Sequence, residues 1–333
     1  MVGELLCLGI ESTAHTFGAS VVSSDGRILS DERSIYKPPP GEGIHPRESA
    51  RHHCEKAPSV IKVALAKAGV TSKDLHVIAF SQGPGLGPCL RTGATVARAL
   101  ASYLRLPLVP VNHAIGHIEI AALATGAKDP LVILVSGGHT SITAFAGGRW
   151  RVFGETEDIT LGNLLDMFGR EAGLPSPSGP AIETLASRGV KYIDLPYVVK
   201  GNDVSYSGLL TAAVNKLKSG DGNVEDLCYS LQETSFSMLT EAAERALAFT
   251  EKKELLLTGG VAANKRLQEM LRYIAGEHDA EFRVVPREYS GDCGAQIAWA
   301  GLLAYRSGVK VNVSKSYVRP RWRLEEVYVK WRV

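Results

Sequence analysis

Residues 131–145, LVILVSGGHTSITAF, carry the pattern that decides the fold class. An apolar run leads into a turn of serine, glycine and histidine, and a second strand-like run follows it and ends at a glycine turn at 147–148. Residues 5–22, LLCLGIESTAHTFGASVV, repeat this order and end near a second tight turn at 25–26. Two such copies far apart in the chain favour duplicated α/β lobes over two unrelated meanders.

Length and composition restrict the class of protein. The chain has 333 residues, of which 45% are hydrophobic and 22% are charged, enough for a two-lobed domain or two domains. We place the first lobe at 1–125 plus 305–333 and the second lobe at 126–304. The net charge of +2 does not identify a partner, so any nucleic-acid contact must come from local patches.

The five cysteines are scattered and form no CxxC pair, which fits reduced thiols rather than a disulfide framework or a zinc ribbon. Glu4 interrupts the first apolar run, and no apolar stretch reaches the length of a membrane span. We therefore expect a cytoplasmic protein with no signal peptide and no membrane partner.

The stretch 111–120, VNHAIGHIEI, is the first candidate site. Asn112 is a plausible helix N-cap, and His113 and His117 then lie one turn apart on the same helix face. This spacing suits two ligands of one metal ion, although two helix histidines that only form hydrogen bonds remain an alternative. Ala114 stands where a zinc peptidase keeps its general-base glutamate, so HExxH chemistry is not indicated.

Other candidate residues occur where strands or loops meet helices. A strand over 254–257 ends in a double glycine before Asn264, where a ligand could approach the backbone or where the chain simply turns. Asp292 precedes a helix and is either its N-cap or a site carboxylate. Glu183 lies in the first turn of a predicted short helix, where the helix dipole favours a carboxylate, and this placement alone would explain the residue.

The tail 317–327, YVRPRWRLEEV, contains three arginines that alternate with apolar residues. If this segment is extended, Arg319, Arg321 and Arg323 share one face, which would suit phosphate groups of a nucleic acid. A solvated strand face is the alternative.

Taken together, seven motifs in order resemble one family along nearly the whole chain, the tRNA N6-adenosine threonylcarbamoyltransferases. This family provides the catalytic subunit of the KEOPS complex in archaea and eukaryotes, and the tail is similar to that branch rather than to the bacterial one. The motifs are NHAIGH (112–117), VSGGHT (135–140), LGNLLDMFGRE (161–171), GPAIE (179–183), SYSGLLTA (205–212), TGGVAAN (258–264) and SGDCGAQIAW (290–299).

The resemblance implies an actin/Hsp70/sugar-kinase fold, an α/β fold of two duplicated lobes with an adenine nucleotide between them. It implies that His113, His117 and Asp292 bind one divalent metal, Fe(II) first and Zn(II) second. The substrate- and nucleotide-binding positions that it implies are Leu134, Val135, Ser136, Gly137, Gly138, Asp166, Gly179, Glu183 and Asn264.

The implied reaction transfers the threonylcarbamoyl group of threonylcarbamoyl-AMP to N6 of the adenosine 3′ of the anticodon in tRNAs that read ANN codons. AMP is released. The implied partners are tRNA and the KEOPS subunits, including a small atypical kinase and accessory proteins. ATP and AMP are further nucleotides that the cleft would bind. No general base is evident, and Glu11 is the candidate that the first turn offers.

This sequence departs from the family pattern at two positions. Leu134 replaces a tyrosine that is a candidate metal contact in many archaeal and eukaryotic members, and leucine cannot bind a metal. We therefore expect water or substrate as any fourth ligand. His139 replaces a frequent asparagine, and the sequence offers no support for a metal role there.

Three other functions compete with the transferase. The family once carried the label of a metallopeptidase, which the missing glutamate argues against. A small-molecule kinase or a nucleotide-gated scaffold of the same fold rests on analogy alone.

Overall fold

Each of the two predicted repeats forms three strands of a five-stranded sheet in the computed structural model, which describes residues 4–39 and 42–332. The first lobe contains β1 (Leu6–Glu11), β2 (Thr16–Ser23), β3 (Ile28–Ile35), α1 (Pro46–Lys67), β4 (Val77–Gly83), α2 (Gly87–Leu104), β5 (Leu108–Asn112) and α3 (His113–Thr125).

The second lobe repeats this order with insertions. It contains β6 (Leu131–Val135), β7 (Thr140–Ala146), β8 (Arg149–Glu155), α4 (Leu161–Glu171), α5 (Gly179–Ala186), β9 (Val199–Lys200), β10 (Asp203–Val204), α6 (Ser207–Ser219), α7 (Val224–Thr250), β11 (Glu254–Thr258), α8 (Lys265–Glu277) and β12 (Glu281–Val284). The chain then continues through α9 (Arg287–Ser290) and α10 (Gly294–Arg306).

The two sheets have the same topology. The order β3-β2-β1-β4-β5 in the first sheet corresponds to β8-β7-β6-β11-β12 in the second. In each, the central strand pairs antiparallel with the next strand along the chain and parallel with the strand on its other side. The duplication predicted from the sequence is therefore confirmed.

The central strands are buried on both faces, because helices cover both sides of the sheet. In β1, Leu8 and Ile10 pack towards α1 and α2, whereas Cys7 packs towards α10. Successive side chains of a strand point to opposite faces, which explains this alternation. The close packing of α10 places its first turn directly against β1 and β2.

The position of α10 differs from the predicted lobe boundary. The sequence placed residues 126–304 in the second lobe, but α10 packs against the first sheet along its whole length. Small apolar residues of α10 face β1, β4 and β5. The sequence shows that α10 has an apolar face, but it does not show which of the two sheets that face packs against. The chain therefore returns to the first lobe before residue 294.

Helix α3 lies between the lobes. All ten residues from His113 to Ala122 are buried, so the helix has no polar face for solvent. Ile115 and Ile118 belong to the core of the second lobe, whereas Ile120 packs with α10 in the first. The histidines of α3 are thus held at the junction of the two lobes.

The tail after α10 is irregular and contacts both lobes. The backbone N–H of Arg319 donates to Gln82 O at 2.7 Å, and Val329 N–H donates to Gly148 O at 2.8 Å. Near the end, Arg332 donates to both carboxylate oxygens of Glu119 in α3, at 2.8 and 2.9 Å. No helix within the described residues is long and apolar enough to cross a membrane.

Gly9 offers a test of the packing between β1 and α10. A Cβ at this position would overlap the backbone nitrogen of Ala298 and lie 2.5 Å from the carbonyl oxygen of Gly294. We expect Gly9→Ala to destabilise the fold by about 3 kcal/mol, because backbone atoms must move apart. The measurement is the unfolding midpoint in guanidinium chloride. Gly276→Ala on α8, where a Cβ meets no atom within 4 Å, should leave the midpoint unchanged or raise it. Equal midpoints for the two variants would contradict this packing.

Candidate metal centre

The N-terminus of α3 positions the two histidines. Asn112 caps the helix, and its Oδ1 accepts hydrogen bonds from the backbone N–H groups of Ala114 and Ile115 at 3.0 and 3.3 Å. The predicted N-cap is confirmed. The i, i+4 spacing then brings the rings of His113 and His117 to a centroid distance of 4.6 Å at an interplanar angle of 86°.

Asp292 completes the cluster from a distant part of the chain. Its Oδ1 lies 3.3 Å from His117 Nε2 and 3.5 Å from His113 Nε2. The N-cap residue of α10 is Cys293, so the carboxylate of Asp292 is not used as a helix cap. The structure therefore brings together the three residues that the sequence named as metal ligands.

The donor set fits a divalent transition metal. One ligand atom from each of the three residues lies within 4.8 Å of the others. Two donors bound at about 2.1 Å and at the tetrahedral angle are about 3.4 Å apart, close to the separations from Asp292 given above. Two imidazoles and one carboxylate also leave coordination positions open for a substrate.

The charges within the cluster are unequal. Burial alone would lower the pKa of His113, but Glu11 and Asp292 outweigh it and raise that pKa to about 9. Burial raises the pKa of Asp292, yet the charge of His113 and the hydrogen bond with His117 hold it well below its ordinary value. Burial lowers the pKa of His117. Because the raised pKa of His113 favours its protonated form, a cation that binds this imidazole must compete with a proton.

Glu11 contacts His113 at Nδ1, while Nε2 of the same ring lies near Asp292. Its side chain is fully buried, with Oε2 at 3.0 Å from His113 Nδ1 and Oε1 accepting the backbone N–H of Thr13 at 2.6 Å. A carboxylate that accepts Nδ1–H fixes the tautomer in which Nε2 presents its lone pair to a metal. Gln296 Nε2 lies 3.1 Å from the same Nδ1, a contact that sequence reasoning missed because Gln296 sits on an otherwise apolar helix.

The end of β6 and the turn after it carry five of the predicted nucleotide positions, two in the strand and three in the turn. Leu134 and Val135 are fully buried and lie opposite Ser141 and Thr140 of β7 in the sheet. The hydroxyl of Ser136 accepts the N–H groups of Gly138 and His139 at 3.2 and 3.0 Å. The N–H of Gly137 donates to no acceptor among the described residues.

His139, in the same turn, approaches the cluster from the second lobe. Its ring is stacked on that of His113, with centroids 6.0 Å apart. Burial, together with the neighbouring His113 and His117, lowers the pKa of His139 to about 3, so the ring is neutral at neutral pH.

The remaining predicted positions join three helices of the second lobe. Asp166 Oδ1 accepts the backbone N–H of Ser178 at 2.7 Å, next to Gly179 at the start of α5. Glu183 Oε1 accepts the backbone N–H of Lys265 at 2.8 Å, next to Asn264.

Asn264 is the N-cap of α8, and its amide also donates to Gln232 Oε1 at 2.9 Å. Burial raises the pKa of Asp166, and the hydrogen bond from the backbone N–H of Ser178 opposes this rise.

The tail arginines do not form an extended stripe. Arg319 pairs with Glu326 and stacks on Trp322, with its guanidinium carbon 4.6 Å from the ring centroid. Arg323 pairs with Glu155 at 2.9 Å. Arg321 is exposed and makes no ion pair within the described part of the chain. No β-strand forms over 317–323, because a turn interrupts this segment.

Comparison with known proteins gives a consistent result. A sequence model of the family described as tRNA N6-adenosine threonylcarbamoyltransferase matches residues 27–299. A protein of that name from Caldivirga maquilingensis is 54% identical over 327 residues, covering 98% of each chain. A second from Thermofilum pendens is 54% identical over 328 residues, covering 98% of this chain and 97% of the relative.

A third relative is longer. The probable bifunctional tRNA threonylcarbamoyladenosine biosynthesis protein of Methanothermobacter thermautotrophicus is 54% identical over 327 residues. The match covers 98% of this chain and 61% of that protein.

Two solved structures share the fold at low sequence identity. HypF of T. kodakarensis has a TM-score of 0.64 and 15% identity, covering 92% of this chain and 48% of that one. Component A of the (R)-2-hydroxyglutaryl-CoA dehydratase of Acidaminococcus fermentans has a TM-score of 0.57 and 14% identity, covering 90% and 97%. The two-lobed fold of the actin/Hsp70/sugar-kinase class is confirmed.

Metal binding is tested by removing one donor and one supporting residue. We expect His113→Ala to weaken binding of Zn²⁺ at least ~100-fold, and Glu11→Gln to weaken it by ~10–100-fold, because the amide orients the imidazole less well. Isothermal titration of the purified chain measures both. His76→Gln, which removes an exposed imidazole outside the cluster, is the control. Wild-type affinity in the His113→Ala variant would place the ion elsewhere.

Proposed function

Because this chain belongs to the tRNA N6-adenosine threonylcarbamoyltransferase family and is a transferase that acts on tRNA, we propose a specific reaction for it. The threonylcarbamoyl group of threonylcarbamoyl-AMP passes to N6 of the adenosine 3′ of the anticodon in tRNAs that read ANN codons. AMP leaves. The observation that carries the proposal is the 54% identity to a relative of that name over 98% of both chains.

In this proposal His113, His117 and Asp292 hold one divalent ion, Fe(II) first and Zn(II) second. Their buried, convergent nitrogen and oxygen atoms support this role. When bound, the ion contributes Lewis-acid chemistry and a template for the threonyl carboxylate or hydroxyl.

The adenylate binds along the second lobe. Asp166 and Glu183 each have one carboxylate oxygen engaged with backbone, and the other oxygen remains for ribose hydroxyl groups. Asn264 and Gly179 lie beside these residues and contact the same nucleotide. The side chains of Leu134 and Val135 are fully buried and cannot contact the nucleotide. Any contact from these two residues would come from their backbone groups.

The chemical step needs orientation more than activation, because the mixed anhydride is already activated. The N6 amine attacks the carbamoyl carbon, the bond from that carbon to the phosphate oxygen breaks, and the proton of the amine passes to the departing AMP phosphate or to solvent. The N–H of Gly137, which has no acceptor among the described residues, supports a role in stabilising the negative charge that develops on oxygen.

Glu11 is the general base that the sequence suggests, but its surroundings favour a role in positioning His113. Both of its oxygens already accept hydrogen bonds in a fully buried position. A carboxylate so engaged is suited to holding His113 in place rather than to receiving a proton from a large RNA substrate. We assign Glu11 to positioning of His113.

The partners that we propose beyond tRNA are those of the KEOPS complex, a small atypical kinase and accessory subunits, in the cytoplasm. The bifunctional relative supports an associated second protein, since its name describes two activities on one longer chain. A peptidase is the competing function, and Ala114 lacks the carboxylate that such a reaction would need.

Reconstitution tests the reaction. Purified protein, with the partner subunits in a parallel arm, is mixed with threonylcarbamoyl-AMP and either an ANN-reading tRNA or a tRNA that reads other codons. We expect the modified nucleoside only in the first tRNA, by nucleoside mass spectrometry, and at least ~100-fold less of it with Glu183→Gln because the amide binds the ribose less well. Glu269→Gln on the exposed face of α8 is the control. No modification in either arm, or peptide cleavage in its place, would refute the proposal.

The tail arginines are tested through the salt dependence of tRNA binding. Removing one arginine that binds a phosphate should lower the slope of log affinity against log salt by about 0.7–0.9. We expect Arg321→Ala to change the slope, because this guanidinium is exposed and has no carboxylate partner within the described residues. The triple variant with Arg319→Ala and Arg323→Ala should change it further. Lys62→Ala on α1 is the control. An unchanged slope in the triple variant would show that the tail has a structural role only and does not bind tRNA phosphates.

A further inference from the structure

His139 is an imidazole of the cleft that neither the predicted metal set nor the proposed chemistry uses. It lies in the turn between β6 and β7, in the second lobe, and its ring stacks on that of His113 at a centroid distance of 6.0 Å and an angle of 30°. Its Nδ1 is buried and has no hydrogen-bond partner among the described residues.

A buried nitrogen without a partner needs an explanation, because leaving such a group unpaired is costly. The ring of His139 lies beside that of His113, one of the three residues proposed to bind metal. No protein hydrogen-bond donor occupies this place in the described chain. A cation held by the other three residues would give Nδ1 a partner.

Ring separations agree with a shared ion. A ring nitrogen lies about 1.1 Å from its centroid and binds at about 2.0–2.1 Å, so two imidazoles on one ion have centroids about 4.5–6.4 Å apart. The pair His113 and His117 at 4.6 Å and the pair His113 and His139 at 6.0 Å both fall within this range.

We propose that His139 is a fourth metal ligand, contributed by the second lobe, so that one ion joins the two lobes. This inference rests on the proposed metal centre. In the structure, the donors of the other three residues lie within 4.8 Å of one another and His139 is outside that group. A small shift of the turn, or closure of the lobes, therefore completes the coordination.

The turn has open space on one side for such a shift. Gly137 and Gly138 precede His139, and a Cβ built on either would meet no atom within 4 Å. On its other side the turn packs against Gly162, and the hydroxyl of Thr160 donates to Gly137 O at 2.9 Å. The strands on both sides are fixed by paired backbone, so movement is confined to the residues between Val135 and Thr140. Metal binding would then be coupled to the position of the second lobe, where the nucleotide residues lie.

Cobalt provides the test, because Co²⁺ reports its ligands through visible absorption. The full chain is titrated with Co²⁺ as wild type, His113→Ala, His139→Ala, His139→Cys and, as a control for loss of an imidazole from the second lobe, His278→Gln. We expect His139→Ala to bind Co²⁺ at least ~10-fold more weakly with an altered visible spectrum, and His278→Gln to match wild type. In His139→Cys, a thiolate-to-cobalt charge-transfer band should appear in the near ultraviolet, which a purely structural residue would not produce.

The outcomes separate the two proposals. If wild type and His113→Ala bind Co²⁺ equally, the metal centre itself fails, and His139 with it. If His113→Ala loses binding while His139→Ala keeps the wild-type affinity and spectrum and His139→Cys shows no new band, the fourth ligand alone is overturned.

Discussion

The burial of α3 on every side is the constraint on which the rest of the site depends. A helix with no face towards water must find partners for every polar group that it carries. His113 meets this demand through Glu11 and Asp292, and Nε2 of His117 meets it through Asp292. Nδ1 of His117 is buried without a partner among the described residues. Glu11 comes from the first strand, and Asp292 comes from the end of the second lobe. The cluster therefore exists only when distant parts of the chain have already packed.

The same demand explains why the cluster is prepared for a cation. Asp292 is held ionised by the neighbouring imidazoles, and His113 is held protonated by Glu11 and Asp292. These opposite charges stabilise the arrangement without a metal, and a metal that binds must displace the proton. Donors that are positioned in advance lose little freedom on binding, which favours affinity.

The tail contacts α3 at its N-terminus and at its middle. At the N-terminus, the amide of Asn112 donates to Trp322 O at 3.1 Å, while its Oδ1 caps the helix. Further along, Arg332 pairs with Glu119, which is only 3% exposed, and lies over the ring of Trp150 in the second lobe. Loss of either partner of this buried pair would leave an unpaired charge in the interior. The tail therefore helps to hold α3, and with it the two histidines, in position.

The sequence by itself determined the elements that depend on local spacing. The alternation around 131–145 and 5–22 determined two repeats, the i, i+4 spacing determined a pair of histidines on one face, and the order of seven motifs determined the family. Tertiary structure alone decided that Asp292 contacts the histidines rather than capping α10, and that α10 packs on the first lobe. It also decided that Arg319 pairs with Glu326 and that Arg323 pairs with Glu155. The physical reason is that side-chain periodicity is a property of neighbours along the chain, whereas the partner of a buried charge is chosen by whichever distant element the folded core brings beside it.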